Sequence, residues 1–336
     1  MTLPTSVEGV SGSRRWARSV GIGRAHAKAI LLGEHAVVYG APALALPIPQ
    51  LTVTATAGWS SHASDGEDDL SYTMTGSPSR ALVTQASDSL RRLVDAFKES
   101  LGVPGGPHLD VILDGGVPPG RGLGSSAATS RAIVLALADL FGRELTENRA
   151  FELVQTAENM AHGRASGVDA RAVGSPGPLR FQAGEVRQLS IGCDGLFLVA
   201  DSGTSGSTKE AVEMLRDSFH ARSGAQDAFV GRATELTEAA EQALADGRTE
   251  ELGARLVDYH ELMRTAGLST DRIDAMVGAA LDAGSLGAKI TGGGLGGCVI
   301  ALTQPEQARE VTRRLHEAGA AQTWAVPLKG LDKHAV

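Results

Sequence analysis

The residues 118–128, PPGRGLGSSAA, lead into residues 127–141, which are apolar at helical spacing. A glycine-rich turn is therefore predicted to open directly onto a helix N-terminus. Glycines let backbone N–H groups converge, and the free N–H groups and dipole of a helix N-terminus favour an anion. We interpret the turn as a phosphate site, with the hydroxyls of Ser125 and Ser126 where a phosphate-bound metal ion would lie. A tight turn with a serine N-cap would show the same residues.

A carboxylate lies on an otherwise apolar helical stripe downstream of this turn. Glu158 shares the stripe with Phe151 and Val154 in a helix predicted over residues 147–162. A carboxylate in such a position needs a partner. An internal ion pair is one interpretation. The other is a magnesium ligand, because Mg²⁺ favours one or two protein oxygens beside phosphates and water.

Asp169 and Lys28 form a second candidate pair. Asp169 ends a small-residue loop, where Ser166-x-x-Asp169 fits a helix capping box. Its functional interpretation is a general base or electrostatic anchor for a hydroxyl that attacks phosphorus, a role that needs a cation nearby. Lys28 is the natural cation, since a lysine in the apolar strand predicted over residues 27–32 is costly unless it is paired or reaches the surface.

Two further segments are candidates for a binding cleft. Glu34 and His35 lie at a predicted turn in GEHAVVYG, where His35 is either a structural histidine or a substrate contact at a strand end. Residues 291–297, TGGGLGG, connect two predicted strands, and their amides could complete a phosphate-lined cleft or form a glycine-rich hairpin. The chain has no Walker segment, no protein-kinase motif set and no dinucleotide fingerprint.

Strands and helices are predicted to alternate along both halves of the chain. Two strands are expected within residues 24–48, and residues 60–79 are interpreted as a loop or mobile hairpin. The remaining predicted strands cover residues 51–57, 108–113, 196–200, 287–290, 298–302 and 322–328, and the predicted helices cover 80–101, 147–162, a segment from about 207, several stretches within 208–283, and 305–318.

Composition narrows the class of protein. The 336 residues carry a net charge of −8, which argues against general affinity for nucleic acid or an anionic membrane. Two distant cysteines and the absence of a long apolar run predict a reduced, cytoplasmic protein with no disulfide framework, structural zinc site or membrane span. Only six of the 31 basic residues are lysines, and Lys28, Lys209 and Lys289 all lie in or beside segments rich in glycine, serine or threonine.

Three segments in fixed order, residues 28–40, 118–128 and 289–297, resemble the GHMP family of small-molecule kinases. The resemblance extends over about residues 20–328. It implies an α+β fold with a lead-in over residues 1–18, an N-terminal domain like ribosomal protein S5 domain 2 over 19–190, and a ferredoxin-like C-terminal domain over 191–330. ATP and substrate would bind between the two domains.

Within the family, AKAILLGEHAVVYG is most similar to members that phosphorylate mevalonate at its C5 hydroxyl in isoprenoid biosynthesis. The resemblance implies Asp169 as catalytic base with Lys28 as its cationic partner, and Mg²⁺ held by Ser126 and Glu158. The implied ATP-binding residues are Pro118, Gly120, Gly122, Leu123, Gly124, Ser125, Ser126 and Ala127. The implied mevalonate-binding residues are Glu34, His35, Arg180, Thr208, Gly293 and Gly294.

Some alternatives remain open at this point. Another alcohol kinase of the family, such as one acting on phosphomevalonate, would share the ATP site, and a kinase-like sensor would bind both ligands without turnover. A homodimer is also expected, because relatives are often dimers. The sequence departs from the family pattern at His26-Ala27, where Pro-Gly is common, and at Thr129, where animal members tend to have tyrosine.

Overall fold

The structure, a computed structural model, describes residues 18–59, 70–75, 80–102, 108–162 and 165–331. The predicted lead-in therefore lies outside the described residues except for Arg18, and the predicted loop over residues 60–79 lies outside them except for residues 70–75. The described parts form two β-sheets with helices packed on them. None of the described helices is both long and apolar enough to cross a bilayer.

The first sheet is built by the N-terminal half of the chain. Its order is β3-β4-β2-β5-β6, with β1 also paired to β2, and every pairing except β3 with β4 is antiparallel. Its strands are β1 Val20–Leu32, β2 Ala43–Trp59, β3 Leu70–Met74, β4 Leu109–Gly115, β5 Leu179–Gln182 and β6 Glu185–Gln188.

The long strand β2 joins two segments that the sequence predicts as separate strands. His26 of β1 pairs with Thr52, but the next residue, Ala27, pairs with Ile48. Residues 49–51 of β2 therefore bulge out of this pairing, which accommodates Pro49, a residue that cannot donate to a strand ladder. Beyond the bulge, β1 is buried on both faces and carries Lys28 into the interior.

Four helices cover this sheet, together with a short 3₁₀ helix over Ala36–Tyr39. Helix α2 lies directly on β1, because a Cβ on Gly23 would be 2.1 Å from the carbonyl oxygen of Ala132. Only glycine allows this approach, which brings the N-terminus of α2 beside Lys28. The helices are α1 Arg80–Ser100, α2 Ser125–Leu140, α3 Glu147–His162 and α4 Val168–Ala172.

The second sheet is antiparallel, in the order β10-β7-β9-β8. Strands β8 and β9 are buried along their whole length, as expected for strands between helices and a neighbouring sheet. Its strands are β7 Leu196–Asp201, β8 Gly287–Thr291, β9 Cys298–Thr303 and β10 Gln322–Pro327, and its helices are α5 Thr208–Ala221, α6 Ala225–Asp246, α7 Thr249–Thr265, α8 Asp271–Asp282 and α9 Ala308–Glu317.

The structure corrects the sequence prediction at three strands. Strand β3 occupies part of the predicted loop, where LSYTM pairs in parallel with β4. Strands β5 and β6 were not predicted, since each has only four residues. The chain passes from the first sheet to the second between Gln188 and Leu196, and the division into domains at residue 190 stays a prediction.

Candidate active site

The glycine-serine turn lies between β4 and α2. Gly124 is the N-cap residue of α2 and has a left-handed conformation, so Ser125 and Ser126 belong to the first turn of the helix. The serine N-cap that the sequence allowed is therefore not formed. The first N–H groups of α2 have no intrahelical partner and are directed toward the turn, as an anion site requires.

Lys28 joins the turn to Asp169. Its ammonium nitrogen lies 2.9 Å from Oδ1 of Asp169 and donates to the carbonyl oxygen of Gly122 at 3.0 Å. Its backbone N–H donates to the carbonyl oxygen of Leu123, also at 3.0 Å. The lysine side chain is only 3% exposed, whereas that of Asp169 is 36% exposed. Lys28 therefore does not reach the surface, and its charge is held under the turn beside an accessible carboxylate.

Asp169 lies in the first turn of α4, whose N-cap is Gly167 and not Ser166. Ser166 instead accepts a long hydrogen bond from the N–H of Val168, at 3.4 Å. The capping box that the sequence suggested is therefore absent. The carboxylate of Asp169 is available for the contact with Lys28.

Glu158 and Ser126 supply oxygen atoms on two packed helices. Glu158 is buried on α3, which packs against α2, and Ser126 is half-buried at the start of α2. In the described part of the chain, no three histidine, cysteine or carboxylate side chains form a metal-binding group. A carboxylate and a hydroxyl nevertheless suit Mg²⁺ where phosphates and water complete its coordination.

The glycine loop of residues 291–297 meets the glycine-serine turn through backbone contacts. A Cβ on Gly292 would lie 2.6 Å from Cα of Gly122, and one on Gly293 would lie 2.0 Å from Oγ1 of Thr208. A narrow cavity of about 60 Å³ remains between these segments. It is lined by Gly120, Gly122, Gly206, Thr208, Gly293, Gly294, Gly296 and Gly297.

Arg121 fastens the tip of the turn to the second sheet. Its guanidinium donates to Asp201 at the end of β7, at 2.8 Å, to Oγ of Ser205 at 2.6 Å and to the carbonyl oxygen of Gly203 at 3.1 Å. Sequence reasoning missed this cluster because its members are about 80 residues apart. The available signal was an aspartate at the end of an apolar strand, followed by a segment of small residues.

His35 lies at a turn with a positive φ of 60°, which is uncommon for a residue with a side chain. Burial, reinforced by the charge of Lys289, lowers its pKa to about 4, so the ring is neutral at pH 7. Its Nε2 atom is buried without a hydrogen-bond partner among the described residues. The ring faces the glycine loop, since a Cβ on Gly294 would lie 3.5 Å from Nε2.

Glu34 turns in the opposite direction, toward the second sheet. Its Oε1 accepts a hydrogen bond from the ammonium group of Lys289, and its carbonyl oxygen accepts one from the hydroxyl of Tyr259 at 2.9 Å. Burial raises the pKa of Glu34 and lowers that of Lys289, and their mutual contact opposes both shifts. Lys289 is one of the three lysines noted in segments rich in small residues, and its sequence setting predicted no role for it.

Arg180 is not brought to this turn by any of its hydrogen bonds in the described part of the chain. Its guanidinium donates to Glu241 of α6 at 2.6 Å and to Gln182 at 2.7 Å. The guanidinium of Arg180 is therefore engaged by β5 and α6. The other implied residues, Thr208, Gly293 and Gly294, lie at the cavity between the two glycine segments.

Comparisons with known proteins place this architecture in a family. The models of the GHMP kinase N-terminal and C-terminal domains match residues 88–176 and 240–321. A mevalonate kinase of Thermococcus sibiricus is 31% identical over 317 residues, covering 88% of this chain and 92% of the relative. The chain belongs to the GHMP kinase family. The family assignment made from the three sequence segments is confirmed.

Solved structures show the same fold. The mevalonate kinase of L. major in complex with R-mevalonate matches with a TM-score of 0.81 at 23% identity, over 93% of this chain and 98% of that one. The mevalonate kinase of methicillin-resistant Staphylococcus aureus MRSA252 matches with a TM-score of 0.70 at 28% identity, over 93% and 100%. The predicted two-domain α+β GHMP kinase fold is therefore confirmed.

Proposed function

We propose that this GHMP kinase transfers the γ-phosphoryl group of ATP to the C5 hydroxyl of (R)-mevalonate, giving 5-phosphomevalonate. The curated relatives are mevalonate kinases, and they cover most of the chain. The observation that carries the proposal is the 2.9 Å contact between Lys28 and Asp169 beside the glycine-serine turn. Phosphoryl transfer depends mainly on positioning and electrostatic stabilisation, and these residues provide both.

Asp169 is the residue that would receive or orient the proton of the attacking hydroxyl. Its carboxylate is partly exposed and therefore accessible, while Lys28 is fixed behind it by the carbonyl oxygen of Gly122. The lysine charge favours the ionised carboxylate and stabilises negative charge that develops on the hydroxyl oxygen. The same lysine contacts the turn proposed to hold the triphosphate. It would therefore fix the position of Asp169 relative to the phosphate.

The ATP-binding residues are proposed to lie in the turn and at the start of α2, and they are Pro118, Gly120, Gly122, Leu123, Gly124, Ser125, Ser126 and Ala127. Ser126 and Glu158 are the residues that would hold Mg²⁺. When bound with ATP, the metal ion would neutralise phosphate charge during transfer. The place of Glu158 on a helix packed against α2 supports this assignment, because a carboxylate oxygen beside phosphates and water is the kind of ligand that Mg²⁺ favours.

The substrate side is proposed to be the turn of Glu34 and His35. Nε2 of His35 and Oε2 of Glu34 are both buried without a hydrogen-bond partner among the described residues. A buried polar atom left unpaired costs free energy, so these two atoms favour a ligand with hydroxyl groups, which can both donate and accept hydrogen bonds. Mevalonate has two hydroxyls and a carboxylate. Thr208, Gly293, Gly294 and Arg180 complete the proposed substrate set.

An ADP-release assay across a panel of alcohols tests the substrate assignment. We expect turnover with (R)-mevalonate and little with phosphomevalonate, galactose or homoserine at the same concentrations. Turnover that is highest with another member of the panel would transfer the proposal to that substrate. ATP binding without turnover on any alcohol would favour a non-catalytic sensor. The homodimer, the cytoplasmic location and the absence of nucleic-acid binding stay predictions.

A further inference from the structure

Lys289 is the most deeply buried charged group among the described residues that the proposed chemistry does not use. Its side chain is 0% exposed, and that of its partner Glu34 is 2% exposed. Lys289 lies on β8 of the second sheet, two residues before the glycine loop begins. Glu34 lies two residues after the end of β1 of the first sheet. The ion pair therefore connects the two sheets behind the His35 turn.

Tyr259 of α7 completes this cluster from a third direction. Its hydroxyl donates to the carbonyl oxygen of Glu34, and its ring centroid lies 5.4 Å from the ammonium nitrogen of Lys289. The ammonium group also donates to the carbonyl oxygen of Ile290. Glu34 is thus held at both its side chain and its backbone. We call Glu34, Tyr259 and Lys289 the rear cluster.

Net stability does not account for the rear cluster. Removing two charges from water costs several kcal/mol per ion, on the order of what their attraction returns, so apolar residues would often serve a core equally well. The rear cluster is instead placed where backbone conformation has to be enforced. His35 has a positive φ, and an unfavourable backbone conformation persists only where the surroundings determine it strongly.

We propose that Lys289 and Tyr259 are positioning residues, which act through Glu34 to hold the His35 turn against the glycine loop, so that Nε2 of His35 faces the proposed substrate. The part of this inference that concerns mevalonate rests on the proposed function. Lys289 holds the Glu34 side chain, and Tyr259 holds the Glu34 backbone. Loss of either contact leaves the turn free to adopt other conformations, although the phosphate turn keeps its own contacts with Lys28 and Arg121.

Hydrogen exchange of the protein without ligands tests the positioning role directly. The amides of Val37 and Ala41 are protected by the carbonyl oxygens of Gly33 and Ala36. In Tyr259→Phe and Lys289→Met, we expect these amides to exchange at least about tenfold faster, while amides of α2 exchange as in the wild type. Leu244→Ala, which truncates a buried side chain of α6, provides a control with a general loss of stability.

Kinetics give the second measurement. We expect the KM for mevalonate to rise by about tenfold in Tyr259→Phe, with the KM for ATP changed by less than about twofold. Lys289→Met should show the same split with a larger effect. In Leu244→Ala, both KM values should stay near those of the wild type. Lys329→Met removes an exposed lysine of the same charge and should change neither constant.

The two measurements separate the possible failures. Unchanged hydrogen exchange at Val37 and Ala41 in Tyr259→Phe overturns the positioning role, whatever the substrate is. Tyr259→Phe alone still tests the positioning role if Lys289→Met does not fold. Faster exchange with equal changes in both KM values shows a structural cluster only. A wild-type protein that releases no ADP with mevalonate contradicts the proposed function, while the exchange experiment still tests the cluster.

Discussion

The glycine-serine turn and the His35 turn both approach the glycine loop of residues 291–297, but they are built differently. The glycine-serine turn is held by backbone contacts and by the pairs of Lys28 with Asp169 and Arg121 with Asp201, which are partly accessible. The His35 turn is held by side chains that are almost completely buried. The first is the turn proposed to hold the triphosphate of ATP. The second is fixed before any ligand arrives.

The largest effect should come from breaking the buried ion pair behind the His35 turn. Lys289→Met leaves the Glu34 carboxylate buried without its cation, and breaking such a pair typically costs about 3–5 kcal/mol. The double variant Lys289→Met/Glu34→Leu removes both charges and should be markedly more stable than the single one. Urea unfolding at pH 7 measures both. Equal stability of the single and double variants would show that Lys289 and Glu34 do not act as a pair.

A substitution at the partly exposed Asp169 should impair catalysis and leave stability little changed. Asp169→Asn keeps the size of the side chain but removes the proton acceptor, so kcat should fall by about two to three powers of ten with ATP affinity little changed. Steady-state kinetics and nucleotide binding measure the two quantities. Asp139→Asn, on the far end of α2, is the matched control and should keep kcat. Near wild-type turnover of Asp169→Asn would rule out its role as base.

The buried turn should also make stability depend on pH. The pKa of His35 is lowered from 6.5 to about 4, so the unfolded chain binds a proton between these values that the folded protein does not. The stabilisation of the folded protein that comes from a neutral His35 is therefore complete above pH 6.5. It decreases as the pH falls, and at pH 5 the free energy of unfolding is lower by about 2 kcal/mol. Burial also lowers the pKa of His26 and His260, which adds in the same direction.

His35→Asn isolates this contribution, because asparagine tolerates a positive φ better than most residues. Denaturant unfolding of both proteins between pH 7 and pH 5 measures the difference. The free energy of unfolding of the variant should fall less steeply over this range. Parallel curves for the two proteins would mean that His35 is accessible to protons in the folded state.

The smallest effect concerns the contact between the two glycine segments. Gly122 has a φ of 73°, and a Cβ there would lie 3.0 Å from Cα of Gly292. Gly122→Ala should raise the KM for ATP by about tenfold and cost about 1–2 kcal/mol of stability. Gly224 has a φ of 77° with nothing within 4 Å of its Cβ position. Gly224→Ala is therefore a control that introduces the same backbone strain without a close contact. An equal rise in the KM for ATP in this variant would contradict the explanation that the contact between Gly122 and Gly292 matters.

Local patterns were sufficient for the longer elements of the fold. The helix predicted over residues 147–162 has the bounds of α3, and the strand predicted over 196–200 differs from β7 by one residue. The junction near residue 50 was not predictable, because Pro49 indicates an interruption while the pairing with β1 continues on both sides of it. Strand β3 depends on a parallel partner, which no local pattern reveals.

In the candidate site, too, local sequence predicted some residues, while others depend on contacts between distant segments. Lys28 and Asp169 were paired from sequence because a carboxylate that acts on a hydroxyl needs a cation nearby, and a lysine in an apolar strand is costly unless it is paired or reaches the surface. The rear cluster was not found, since Lys289 and Glu34 are 255 positions apart and each has an ordinary local explanation. Arg180 shows the opposite limitation. The family resemblance implied a substrate contact for Arg180, but its ion pair with Glu241 depends on how α6 packs.

The approach of Gly122 to Gly292 restricts how this kinase can diverge. A Cβ on Gly292 would collide with the backbone of Gly122 at 2.6 Å, and one on Gly122 would be in very tight contact with the backbone of Gly292 at 3.0 Å. In most packed interiors, a larger residue on one side can be offset by a smaller one opposite. Here both residues are already the smallest available, so a larger residue at one position cannot be offset by a smaller one at the other. A sequence change at either glycine therefore requires one of the two backbone segments to move.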